Sequence, residues 1–304
     1  FNGSSWVSVI SSNSINSIAL AATNITSSGF QANWSLTPGA AGYLLDVATD
    51  NGFSSFIINN LDVGNANNYT VISGLSCGTT WYRIRAYNAC GVIGNYSNIV
   101  SVNTPTTIQI NHSSGINGAP VSKVVTYETV KTNISGSELC WITRNLGASQ
   151  KASAATDNTE TSAGWYYQFN RSQGFQYTTS LTPSNAWVTP INENSDWLVS
   201  NDPCNLNLGS GWRIPTASEW TNAINNGSWT NYNSTYNSVI SLHAAGSLMH
   251  STGALSYRGS LGYYWSSTQS ANDCGTGIFF SGSSAYMYSG FNYKSYGYTL
   301  RCVK

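Results

Sequence analysis

Five aromatic residues, Tyr286, Tyr288, Phe291, Tyr293 and Tyr296, fall within eleven positions near the C-terminal end of the sequence, spaced by Ser, Gly and Asn. The chemistry this pattern offers is contact. Rigid rings supply a large area at low entropic cost, and phenol tips tolerate water when no ligand is present. In a strand, 286 and 288 share one face, and a loop over 289–296 can crown the same surface. Tyrosines half buried in a core are the competing reading. So many rings this close together favour a surface patch, because they cannot all point inward.

Reactive chemistry is sparse. The six cysteines (77, 90, 140, 204, 274 and 302) form no CxxC pair, no HExxH occurs, and the histidines are His112, His243 and His250. A zinc site is therefore not expected. Glu193-Asn194-Ser195-Asp196 and Asp202 could offer oxygens to Ca²⁺, but a solvated loop is the simpler reading. No Ser/His/Asp set or carboxylate pair stands out, so neither catalysis nor a cofactor is expected. Disulfides are permitted in an exported protein. Among Cys140, Cys204 and Cys302 one structural pair is expected, and the sequence leaves open which.

The composition narrows the partners. The 304 residues carry 12 Lys+Arg and 12 Asp+Glu, a formal net charge of zero, and charged residues make up 8% of the chain against about 25% in ordinary soluble domains. Such a chain cannot build the basic stripe that nucleic-acid affinity rests on, nor a polybasic membrane anchor. No apolar run approaches the roughly 20 residues of a membrane span. The start Phe1-Asn2-Gly3 reads as a processed piece with any targeting signal outside it. A surface of amides and hydroxyls suits an exported protein, and sequons such as Asn24-Ile25-Thr26 follow from that composition alone.

Residues 16–104 alternate with period two: Phe30-Gln31-Ala32-Asn33-Trp34, then Tyr43, Leu45 and Val47, then Tyr82, Ile84 and Ala86. Turn residues such as Thr37-Pro38-Gly39 and Asp50-Asn51-Gly52 separate them, which predicts about seven antiparallel strands in a β-sandwich. Cys77 and Cys90 flank one such strand. A straight strand holds its ends too far apart for a bridge, so these two are expected unpaired with each other. Residues 1–15 are left as an N-terminal segment and 105–114 as a linker. Residues 115–304 form a second domain of mixed α+β character, with Thr216-Ala217-Ser218-Glu219 as a helix-starting capping box and Trp220 and Ile224 on one face.

Trp34, the Gly42-Tyr43 strand and Gly78-Thr79-Thr80-Trp81-Tyr82-Arg83-Ile84-Arg85-Ala86-Tyr87-Asn88 resemble a bacterial fibronectin type III domain over about residues 16–104. The resemblance puts Tyr82 at the tyrosine corner and implies a spacer or presentation module.

Four further segments resemble another family: Cys140-Trp141-Ile142-Thr143-Arg144-Asn145-Leu146-Gly147, Gly211-Trp212-Arg213-Ile214-Pro215-Thr216 with Glu219-Trp220, Tyr264-Trp265-Ser266-Ser267-Thr268, and Leu300-Arg301-Cys302-Val303-Lys304. Together they are similar to the Fibrobacter succinogenes major paralogous domain, a C-type-lectin-like fold that also serves as the variable protein of diversity-generating retroelements. The resemblance implies a diversified surface between Trp265 and Arg301, where adenine-directed mutagenesis of Asn-type codons yields Ser, Thr, Tyr, Asp, Gly, Ala, Cys or Phe. Candidate ligand-binding residues are Ser270, Ala271, Asp273, Cys274, Gly277, Phe279, Ser284, Tyr286, Tyr288, Ser289, Phe291, Tyr293, Ser295 and Tyr296. Gln269, Met287 and Lys294 depart from that set and read as fixed.

Within this family frame, Trp141, Trp165, Trp212, Trp220 and Trp265 read as buried fold-defining residues and not as sugar platforms. Asn272-Asp273 only weakly resembles the calcium-dependent lectin signature, whose Trp and Glu-Pro-Asn partner are absent. The related formylglycine-generating enzymes need a close C-terminal cysteine pair, whereas Cys274 and Cys302 are far apart. The expected molecule is multidomain: an all-β fibronectin type III sandwich plus an α+β C-type-lectin-like domain. Its expected role is non-catalytic binding of a protein or glycan receptor, placed extracellularly, on a cell surface or on a virion, with affinity only weakly dependent on salt. An adhesin or glycan-binding module with a fixed site is the second reading, and a structural stalk or tip subunit the third.

Overall fold

Seven short strands follow from the alternating segments: β1 (Ala19–Thr23), β2 (Phe30–Trp34), β3 (Gly42–Ala48), β4 (Phe56–Asp62), β5 (Asn68–Val71), β6 (Thr79–Tyr87) and β7 (Val100–Asn103). The computed structural model describes residues 16–25, 29–71, 77–103, 107–290 and 292–304. The N-terminal segment 1–15, residues 105–106 of the expected linker and Phe291 lie outside the described residues. The strands form two sheets, ordered β1-β2-β5 and β4-β3-β6-β7. Along β6 the burial alternates without a break: Thr80, Tyr82, Ile84 and Ala86 point in, while Trp81, Arg83 and Arg85 point out. Trp34 and Tyr43 meet between the sheets at 5.8 Å, as do Phe30 and Tyr82. The Tyr82 hydroxyl bonds the backbone of both β1 and β2, at Leu20 and Asn33, and a corner bond to residues 72–76 would fall outside the described residues. This sandwich belongs to a unit of residues 1–75 and 79–104, and a second unit comprises residues 76–78 and 105–304.

Two details of the second unit correct the sequence reading. Residues Thr107–His112, read as linker, are a strand, β8, pairing antiparallel with β9 (Lys123–Thr132), which in turn pairs with β10 (Leu139–Ile142). Ile108 is buried with Val125 and Tyr127 in the same core, which explains why this stretch is ordered as strand. Cys77 groups with the second unit and is bonded to Cys140, with Cα atoms 5.5 Å apart. The second disulfide, Cys204–Cys302, is the structural pair expected among three cysteines, and Cys90 and Cys274 are free.

The remaining elements are α1 (Glu160–Ala163), β11 (Tyr166–Tyr167), β12 (Gly174–Tyr177), β13 (Leu181–Thr182), α2 (Pro203–Leu208), α3 (Ala217–Asn226), α4 (Tyr232–Tyr236), β14 (Ser247–Leu248), β15 (Leu255–Ser256), β16 (Gly262–Gln269), β17 (Gly275–Phe280), β18 (Ala285–Tyr288) and β19 (Tyr298–Thr299). Seven strands make one sheet, ordered β13-β12-β11-β19-β16-β17-β18, with β16 and β19 parallel. The capping box at α3 forms in both directions, Thr216 to Glu219 and back.

The four motif segments converge by backbone hydrogen bonding. Cys140 and Lys304 exchange bonds at 2.9 Å, Ile142 donates to Cys302, and Arg213 pairs with Val303. Ser267 donates to Pro215, and the Trp220 indole donates to the Trp265 carbonyl at 3.1 Å. Trp141, Trp212, Trp220 and Trp265 of these segments are buried, as is Trp165 outside them. Their spacing along the chain therefore serves the core.

Candidate aromatic binding face

The site grows from the β16–β17–β18 meander, whose register sorts side chains by face. Tyr264, Ile278 and Met287 stand opposite one another and enter the core with Phe280 and Ala285. One residue away, Tyr263, Phe279 and Tyr286 form a row on the opposite face, and Tyr288 stands across from Gly277. The rings touch in sequence: Tyr286 to Phe279 at 5.1 Å, Phe279 to Tyr263 at 5.3 Å, and Tyr263 stacked on Tyr298 at 4.9 Å. Tyr298 meets Tyr296 at 5.6 Å, and the His250 ring lies 4.9 Å from Tyr296 and 5.1 Å from Tyr293. Centroid separations of 4.5–7 Å are those of mutually supporting aromatic pairs. Tyr286 is 46% exposed, and Phe279, Tyr288, Tyr293 and Tyr296 are half-buried.

Two clefts open on this face. The first, of about 220 Å³, is walled by Tyr257, Tyr263, Tyr288, Tyr296 and Tyr298 with Met249 and Ser247. The second, of about 310 Å³, lies between Thr189-Pro190-Ile191 on one side and His250, Tyr293, Asp273 and Ser295 on the other. Burial and then neighbouring phenols raise the tyrosine pKa values, with Tyr263 pushed up to about 12 and Tyr288 and Tyr296 shifted the same way. The hydroxyls therefore stay neutral, each able to donate and to accept. Such a wall can stack on a flat or apolar ligand surface while bonding its polar groups.

Residues 221–303 match the model of a family described as a domain of unknown function (DUF8237). No curated protein shows significant similarity to the chain. Among solved structures, the sixth fibronectin type III domain of human fibronectin type III domain containing protein 3 is 23% identical, with 34% of this chain and 96% of that one covered and a TM-score of 0.28. A Fn3-like protein from Clostridium thermocellum is 21% identical over 28% of this chain and 91% of its own, with a TM-score of 0.22. The first unit has a fibronectin type III-like fold. Its own two-sheet strand order and alternating core carry that statement.

The candidate residues fall in different places. Ser270, Ala271, Asp273, Ser289 and Tyr286 are exposed, while Cys274, Phe279, Ser284, Tyr288, Tyr293 and Tyr296 are half-buried. Ser295 is only 4% exposed but borders the second cleft. Gly277 must be corrected: it is buried, and a Cβ there would sit 2.4 Å from the Tyr264 carbonyl oxygen. It is glycine so that β16 and β17 can approach. Gly277→Ala is accordingly expected to cost about 1–3 kcal/mol through overpacking. A thermal melt of the variant should fall by about 5 °C, and an unchanged melt would remove this account.

The three residues outside the mutable set have structural work. Met287 packs in the core. The buried Lys294 ammonium donates to the Glu193 carbonyl (2.5 Å), the Ser195 carbonyl (3.3 Å) and Gln269 Oε1 (2.8 Å). Gln269 also holds Asn194 and, through its backbone, Asp196.

The acidic residues weighed for calcium are similarly occupied. Glu193 pairs with Arg171 at 3.0 Å, and Asp202 accepts from the backbone of Cys204, Asn205 and Ile214. Among the described residues no group of three or more His, Cys, Asp or Glu could hold a metal. The sequence reading missed Tyr257, Tyr263, Tyr298, Met249 and His250, whose signal is aromatic content alone. Only the strand order brings them beside the C-terminal stretch.

Proposed function

We propose that residues 115–304 form a C-type-lectin-like domain similar to retroelement variable proteins, and that its aromatic face binds a protein or glycan receptor without catalysis. The fibronectin type III-like unit acts in this reading as a spacer on an exported, cell-surface or virion-borne molecule. The observation that carries it is that Tyr286, Tyr288, Tyr293 and Tyr296 stay partly open to solvent on one face, beside two clefts. The core-packing alternative would have buried them. Further support comes from Gln269, Met287 and Lys294, which depart from the mutable set and each make structural contacts.

The test is direct. The labelled protein, applied to a glycan array and to intact bacterial cells, is expected to retain a target. Replacing Tyr286, Tyr288 and Tyr296 with Ala should weaken that binding about 100-fold or more, since such anchors each contribute around 2 kcal/mol. Unchanged binding would leave the face without a role and favour the stalk reading. Diversification is tested in the DNA. An imperfect repeat of the coding sequence for 265–301 that differs only at adenines supports a variable protein. Its absence supports the second reading, an adhesin or glycan-binding module with a fixed site.

A further inference from the structure

The second cleft has a chemistry the first lacks. Asp273 is its one carboxylate, and that carboxylate makes no ion pair with Lys or Arg among the described residues. Its neighbour in charge, Lys294, spends its protons on the Glu193 and Ser195 carbonyls and Gln269. Two aromatic rings, His250 and Tyr293, stand 5.1 Å apart at the same cleft, and Pro190 and Ile191 supply an apolar wall. A carboxylate, ring faces and an aliphatic wall are what an amphipathic cation requires. The charged head pairs with the carboxylate and rings, and the methylene stem lies along the apolar side. The Lys294 charge acts on Asp273 from the buried side, but the carboxylate at the cleft itself still repels an anion, and a neutral ligand would leave it unused.

We propose that this cleft is a subsite for a lysine or arginine side chain of a protein partner. The inference rests on the recognition reading above and gives it a chemical class: a protein surface presenting one basic residue beside an aromatic or apolar patch. The basic residue enters between Ile191 and Tyr293 with its cation toward Asp273. The apolar patch covers the tyrosine-lined first cleft across the His250–Tyr296 contact.

The experiment is an NMR titration of the whole chain with Nα-acetyl-arginine amide, with the citrulline analogue as the neutral isostere. Arginine amide should perturb the His250 and Tyr293 ring signals, the citrulline analogue should bind at least tenfold more weakly, and Asp273→Asn should abolish the difference. Equal melting temperatures show that the Asp273→Asn chain is folded. If citrulline binds as well as arginine, or neither perturbs these rings, the cation subsite is wrong. That result leaves the tyrosine-face test untouched, so the two readings fail separately.

Discussion

Replacing Arg301 with Ala should destabilise the second unit by about 3–5 kcal/mol, in the range of large core truncations. Arg301 is fully buried in the closing segment and forms no ion pair with a carboxylate among the described residues. Its guanidinium donates instead to Asn145 Oδ1 (2.9 Å), the Ser241 carbonyl (3.1 Å) and the Ile142 carbonyl (3.4 Å), and it lies 6.0 Å from the Tyr264 ring. Burial lowers its pKa to about 10, so it stays charged at neutral pH. Two effects compete. Removing a buried charge relieves desolvation, but it strands three acceptors that water cannot reach and leaves a cavity. The acceptors come from segments far apart in the chain, so the second effect should win. A thermal melt should fall by about 10 °C. Arg301→Met separates the causes: it fills the volume without the hydrogen bonds and should remain clearly less stable than Arg. Equal stability would show that the guanidinium contributes volume alone.

Arg301 also marks where sequence reading stops. Period-two segments such as Phe30–Trp34 and β6 declare their faces, because in a strand alternation and burial are the same fact. The capping box at Thr216 is equally legible, being a bond between residues three apart. Charged residues are read as exposed by default, and nothing near Arg301 or Lys294 in the chain says that carbonyls from remote loops will receive them. The same limit hides the Cys77–Cys140 bridge, since pairing needs proximity and not spacing. The aromatic face was half visible. Tyr286–Tyr296 announce themselves by crowding, whereas Tyr257, Tyr263 and Tyr298 join them only through the β19-β16-β17-β18 order. Thr107–His112 was misread because its flanking Thr and Pro resemble a linker while two isoleucines carry the strand.

Acidification should destabilise the second unit from just below pH 6.5, and two buried histidines set the window. His243, 1% exposed, has its pKa lowered to about 3, chiefly by desolvation and then by the Arg301 charge. His112, 6% exposed, is lowered to about 4 by desolvation, with Lys123 acting the same way. The hydrogen bonds fix the His112 tautomer. Asn207 donates its amide to Asn117 and Pro203, so its oxygen accepts from Nδ1 (3.1 Å) and leaves Nε2 to accept from the Tyr127 hydroxyl (2.9 Å). Protonation would turn Nε2 into a donor and leave the buried Tyr127 hydroxyl hydrogen without its acceptor.

The sign follows. Unfolded histidine binds a proton near pH 6.5, and the folded rings do so only near 4 and 3, so the unfolded chain holds more protons between. Stability is therefore complete above about pH 7 and falls through pH 5. Asp202, whose carboxyl burial pushes up, opposes the loss at the acid end. His243 alone contributes up to about 2 kcal/mol of loss at pH 5, one pH unit of depression being worth about 1.4 kcal/mol, and His112, nearer solvent, contributes less. Denaturant unfolding between pH 7.5 and 4.5 should show close to two protons taken up on unfolding. His243→Asn should reduce the uptake to about one, and a pH-independent transition would mean the rings are not buried neutral. Because the Arg301 charge helps depress His243, Arg301→Met should shallow the same slope.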